Sequence, residues 1–184
     1  MAVLFARQDS IYKDIPTCDV WDSVRDARFY FGSLPVVAHP PCRAWGRLRH
    51  MAKPRADEKD LALFAVESVR RVGGVLEHPL GSTLWPAAGL PVPGGRDAFG
   101  GYTIPIFQSW FGHRAEKATY LYIVGVEPRD LPRMPMMLGE ASHVCETQIR
   151  KGKPGWRPAI AKPEREKTPV DLARWLVEVA GMVS

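Results

Sequence analysis

Residues 35–42 read Pro-Val-Val-Ala-His-Pro-Pro-Cys, and residues 73–79 read Gly-Gly-Val-Leu-Glu-His-Pro. Between them, Asp57–Val72 carries Leu61, Phe64, Ala65, Val69 and Val72 on one face of a 3.6-residue period. Acidic residues open that segment, Arg70 and Arg71 close it, and Gly73-Gly74 ends it, as the helix dipole and a left-handed cap favour. The stretch from Val36 to Leu76 therefore predicts strand, helix, strand: a parallel crossover of the right-handed kind.

Working outward, Ala2–Ala6 reads as a strand at the start and Ala118–Val126 as a strong β run, rich in aromatic and β-branched residues. Gln8–Phe31 is polar and irregular, and the glycine- and proline-rich stretch Pro86–Pro105 reads as a long loop. Thr168 is expected to cap a last helix, with Pro169 in its first turn, Leu172, Trp175, Leu176 and Val179 on its apolar face and Gly181 at its end. The expected architecture is α/β: a Rossmann-like, mostly parallel sheet flanked by helices, with residues 1–184 in one domain and a loop-rich basic excursion at 128–168. Met134, Met136 and Met137 are expected to pack within that excursion.

The 184 residues are 46% apolar and 24% charged, an ordinary globular balance that can bury a sizeable core. No apolar run reaches the length of a membrane span, and no signal peptide is expected, so no membrane partner is expected. Three cysteines, Cys18, Cys42 and Cys145, form no CxxC pair. A disulfide framework is not expected, and a reducing cytoplasm is the expected compartment: that of the host cell if the chain is phage-encoded.

The net charge is +5. Arg150–Lys167 holds seven basic and two acidic residues, which equals the whole excess. A second cluster, Arg43, Arg47, Arg49, Lys53 and Arg55, contains no acid. Trp45 and Trp156 are interleaved with these cations, a pattern that suits a phosphate backbone beside a stacked base. DNA is the expected partner, with Arg49, Arg150, Lys151 and Lys153 on phosphates and both clusters lining one groove that leads to Cys42.

Two residues carry the expected chemistry. Cys42 follows a strand through Pro40-Pro41, which holds the thiol in place at the carboxyl edge, where open α/β sheets bind ligands. Arg43 and Arg47 beside it are expected to lower the thiol pKa and favour the nucleophilic thiolate. Glu77 ends the neighbouring strand 35 residues later and would open onto the same crevice, where it would hydrogen-bond or protonate a base.

Pro40-Pro41-Cys42 resembles the Pro-Pro-Cys motif of the C5-pyrimidine (cytosine) DNA methyltransferases. Leu76-Glu77-His78-Pro79 resembles their Glu-Asn-Val or Glu-Asn-Pro motif, and Gln108 through His113 to Lys117 is more loosely similar to their Gln-x-Arg-x-Arg segment. The likeness covers roughly Val36–Val126. It implies that Cys42 adds to C6 of a flipped-out pyrimidine, making C5 nucleophilic, while Glu77 holds N3 and the exocyclic group. Substrate contacts are expected from His39, Pro41, Arg43, Arg47, His78, Gln108, His113 and Lys117, with Arg43 and Arg47 on phosphates as well.

The chain departs from that family in its first strand. The turn Phe5-Ala6-Arg7-Gln8-Asp9 has no glycine to hold S-adenosylmethionine, and only 36 residues separate Ala6 from Cys42. The chain resembles a reduced, phage-type member, and no cofactor is expected; S-adenosylmethionine, with conventional cytosine methylation, is the runner-up. The expected reaction is group transfer at C5, such as transfer of an amino acid or other amine to an activated 5-hydroxymethyluracil in phage DNA. That resembles the step ascribed to amino-acid:DNA transferases of thymine hypermodification.

Other readings of the same residues stay open. His39, Cys42, His143 and Cys145 would make a tetrahedral zinc set, at spacings that match no standard finger. The zinc deaminase pattern lacks its second cysteine, and no metal is expected. Cys42 with His39 or His113 would make a thiol–imidazole pair. A non-catalytic nucleic-acid-binding module would use the basic loops alone.

Overall fold

The computed structural model describes residues 1–146 and 149–183. Six strands form one sheet: β1 (Ala2–Leu4), β2 (Asp19–Trp21), β3 (Val36–Ala38), β4 (Gly74–Pro79), β5 (Tyr102–Phe107) and β6 (Ala118–Val124), in the order β2-β1-β3-β4-β6-β5. The helices are α1 (Glu58–Val72), the single turns α2 (Leu84–Ala87) and α3 (Lys162–Arg165), and α4 (Val170–Gly181).

The strand–helix–strand unit read from Val36 to Leu76 is present. β3 and β4 pair in parallel, with Val36 opposite Gly74 and Ala38 opposite Leu76, and α1 joins them. Gly74 is required there: a Cβ would meet the Val36 carbonyl oxygen at 2.0 Å, and φ is +120°. Two layers of core lie on the two faces of the sheet. Alternation along β4 sends Leu76 toward α1, with Val36, Ala62, Ala65, Val66 and Val69, and Val75 toward α4, with Val37, Leu172, Trp175, Leu176 and Val179.

The sheet is mixed rather than mostly parallel. β1 pairs in parallel with β2 and β3, but β6 runs antiparallel to both β4 and β5. No helical crossover joins β5 to β6; a short segment holding one 3₁₀ turn, Gln108–Phe111, turns the chain back, and such a connection enforces antiparallel pairing. β5 itself occupies the end of the stretch expected to be loop. Its Pro105 is tolerated because β5 is an edge strand, paired with β6 on one side and meeting only the isolated Arg96–Tyr102 bridge besides among the described residues.

Other boundaries shift for local reasons. β1 stops at Leu4 because Phe5 turns with φ +60°, and the irregular stretch after it contains β2. Thr168 does not cap α4: Pro169 occupies the cap position and no side chain bonds the first turn. Among its described residues, the 128–168 segment holds one 3₁₀ turn, α3 and isolated bridges from His143 to Ala115 and from Val144 to Ala159. No helix among the described residues is long and apolar enough to cross a membrane.

Candidate active site

The topology gathers the chemistry on one edge. β1, β3 and β4 are parallel, so their carboxyl ends share an edge. Because β6 is antiparallel to its neighbours, the end of β5 and the start of β6 lie there too. β1 has β2 on one side and β3 on the other, which makes the β1/β3 border the switch point where open α/β sheets take ligands. His39 stands there, its backbone N–H bonded to the Leu4 carbonyl at 3.0 Å.

A chain of side chains runs along this edge on the α4 face. Tyr12 Oη lies 2.8 Å from His39 Nε2, and His39 Nδ1 lies 3.0 Å from Glu77 Oε2. Gln108 Nε2 donates to Glu77 Oε1 at 2.9 Å and to Thr119 Oγ1 at 3.1 Å. Burial alone would raise the Glu77 pKa; the His39 hydrogen bond and the Lys117 ammonium outweigh it and bring it down to about 2. Glu77 is an ionised carboxylate on a largely dry edge, its side chain 11% exposed. Tyr12 is fully enclosed, and burial together with the Glu77 charge raises its phenol well above the ordinary range. Sequence reasoning missed Tyr12 and Thr119. The signal for Tyr12 was slight: Ser10, whose hydroxyl accepts from the Tyr12 N–H and caps the 3₁₀ turn Ile11–Asp14.

Cys42 is exposed on the turn after β3. Its carbonyl accepts from the N–H groups of Trp45 and Gly46, at 3.1 and 2.8 Å, which closes a tight turn behind the two prolines. The expected thiolate activation by Arg43 and Arg47 is not what the structure shows. Partial burial of the sulfur, followed by the Glu77 carboxylate, raises the thiol pKa, and the cation that opposes them is Lys117. Arg43 is engaged elsewhere, in an ion pair with the buried Glu58 at the start of α1, and the stem of Arg47 runs past Gly81.

His78 does not share the Glu77 crevice. Alternation turns it to the α1 face, where it is fully buried and packs near Trp85, with ring centroids 6.3 Å apart. Neither ring nitrogen makes a well-formed hydrogen bond, and burial pushes its pKa down to about 4 against the weaker pull of the Glu77 charge and the Pro41 backbone. His113 is buried too; its Nδ1 sits against the Ala115 backbone, 2.7 Å from the carbonyl oxygen and 3.0 Å from the amide nitrogen. Neither His39, with both nitrogens engaged, nor His113 bonds the Cys42 thiol, so no thiol–imidazole pair is formed. Lys117 joins the site through its charge, from a strained backbone with φ +37°.

Arg49, Arg150, Lys151 and Lys153 are all exposed. Trp45 is not the stacking platform expected beside them: it is buried in the core facing α1. Trp156 is half-buried, with the Lys151 ammonium 5.8 Å from its ring centroid. Among the described residues no group of three His, Cys, Asp or Glu side chains could hold a metal ion, and His143 is bonded instead to Arg114 and Ser142. Comparison with protein-family models, curated proteins and solved structures returned no match.

Proposed function

We propose that this chain is a transferase acting on a pyrimidine base in DNA, with Cys42 as the nucleophile and Glu77 as the group that holds the base. The observation that supports it most is the placement of Cys42, exposed on the turn after β3, and Glu77, on the paired parallel strand β4, at one carboxyl edge of the sheet. The exposed basic loops supply a surface for phosphates, whose binding falls with salt.

A flipped base enters at the edge, and the Cys42 sulfur, as thiolate, bonds to C6 while the C5=C6 electron pair moves toward C4–O4. The enolate then expels a leaving group, such as diphosphate, from a C5 methylene, which leaves an exocyclic C=C bond. An amine adds to that carbon and loses a proton, and the regenerated enolate restores C5=C6 by expelling the Cys42 thiolate. The net change replaces diphosphate with an amine and releases one proton. S-adenosylmethionine has no part in these steps, in keeping with a glycine-free turn after β1, where Phe5 instead packs edge-on against Phe64 of α1.

The test is intact mass under denaturing conditions after incubation with DNA containing a 5-fluoropyrimidine. The proposal expects a protein–DNA adduct that Cys42→Ala abolishes while DNA binding persists. Binding without any adduct, at every pH tried, would leave a nucleic-acid-binding module. An adduct that forms only with S-adenosylmethionine present would favour methyl transfer.

A further inference from the structure

We propose that Tyr12 and His39 are positioning residues that fix Glu77 as a pure hydrogen-bond acceptor, and so commit the site to a base whose N3 carries a hydrogen. This rests on Glu77 being the base-holding group.

Hydrogens along this chain of side chains all point toward the carboxylate. Tyr12 is sealed in the core at 1% exposure, close enough to Glu77 for that charge to oppose a phenolate. Its hydroxyl keeps its proton, and we assign that hydrogen to His39 Nε2, the ring nitrogen 2.8 Å away. A neutral imidazole that accepts at Nε2 carries its hydrogen on Nδ1. That hydrogen points at Glu77 Oε2, 3.0 Å away. On the other side the Gln108 amide donates to Oε1 at 2.9 Å. Both carboxylate oxygens thus receive hydrogens from the protein, and the carboxylate has nothing to give.

A base read by such a group must bring hydrogens of its own. A 5-substituted uracil presents N3–H between two carbonyls and fits a bare carboxylate. Cytosine presents an unprotonated N3, which calls for a proton on the glutamate. The buried Gln108 Oε1, which has no protein partner, is an acceptor of the same polarity beside it. The carboxylate and the amide oxygen beside it both ask for a donor.

Tyr12→Phe removes the hydroxyl and little volume. With no hydroxyl hydrogen at Nε2, His39 is no longer held to the Nδ1–H tautomer, and its hold on the Glu77 carboxylate loosens. Two readouts test this. The first needs no DNA: ¹⁵N–¹H correlation spectra of the histidine side chains at neutral pH. The proposal expects the Nδ1–H tautomer for His39 in the wild type and loss of that signature in Tyr12→Phe. An imidazolium, or an Nε2–H tautomer, in the wild type overturns it. The second is the ratio of Cys42 adduct formed with 5-fluorouracil DNA to that formed with 5-fluorocytosine DNA. A preference for uracil of ~10-fold or more is expected, corresponding to one missing buried hydrogen bond, and it should shrink in Tyr12→Phe. A ratio unchanged by the substitution overturns the proposal even if both adducts form. Absence of any adduct, with the expected tautomer, would count against the transferase reading and leave the proton assignment standing.

Discussion

Glu77 and His78 are consecutive residues of β4, and they meet opposite conditions. Glu77 faces α4, where His39 and Gln108 satisfy both of its oxygens and Lys117 adds charge. His78 faces α1, fully buried, with neither nitrogen in a well-formed hydrogen bond. A residue step of one in a strand changes the face, so two titratable neighbours belong to two different environments. The polar face is built to hold a charge; the other face tolerates an imidazole only in its neutral form. Chemistry should therefore lie on the α4 side of β4, and His78 should matter to stability alone.

The sharpest way to break that contrast is to exchange each residue for a neutral near-isostere. Glu77→Gln should lower base modification by ~100-fold or more, the range for loss of a positioned charged group. His78→Leu should leave the rate within about threefold and stability at pH 7 unchanged or higher, since it removes two poorly paired buried nitrogens. Steady-state rates with modified DNA check both, and equal losses would erase the distinction between the faces.

The two residues should also separate in pH-dependent stability. The folded pKa of His78 lies at about 4, below its ordinary 6.5. The unfolded chain takes up that proton first, so stability falls as pH drops from about 6.5 to 4, by ~3 kcal/mol at most. For Glu77 the folded pKa is about 2 against an ordinary 4.5. Its contribution is fully present above about 4.5 and disappears as pH falls toward 2, again by ~3 kcal/mol at most. Urea unfolding across pH 7 to 2 should show the first window vanish in His78→Leu and the second in Glu77→Gln. A single window that both substitutions flatten would mean the sites are coupled.

The smallest effect belongs to the surface. Replacing Arg150, Lys151 and Lys153 with alanine should weaken DNA binding uniformly and reduce the salt slope by up to ~0.9 for each phosphate no longer neutralised, with the rate at saturating DNA unchanged. Binding titrations at several salt concentrations measure the slope, and an unaltered slope would remove these residues from the interface.

Much of this was legible in the residues. The β3–α1–β4 unit followed from periodicity and its glycine stop, and Cys42, Glu77, Gln108 and Lys117 all fall at the carboxyl edge of the sheet or at the loop beside it. What escaped was set by non-local pairing. β5 hides behind glycines and prolines because an edge strand needs half the backbone bonds of a central one, and Pro105 is harmless there. Tyr12 sits on an isolated 3₁₀ turn, and its tie to His39 spans 27 residues. The cation near Cys42 was misjudged for the same reason: Arg43, its neighbour in sequence, turns away to Glu58, while Lys117 arrives from the start of β6.

The central claim, that Glu77 and Cys42 serve one base, is tested most directly by two rates measured on wild type and Glu77→Gln. One is alkylation of Cys42 by iodoacetamide; the other is adduct formation with 5-fluorouracil DNA at saturation. Removing the carboxylate charge lowers the thiol pKa, so alkylation should speed up. Removing the group that holds the base should slow adduct formation, by ~100-fold. Opposite changes in the two rates are the predicted result. If both rates rise together, Glu77 acts on the thiol alone and the shared base site is contradicted.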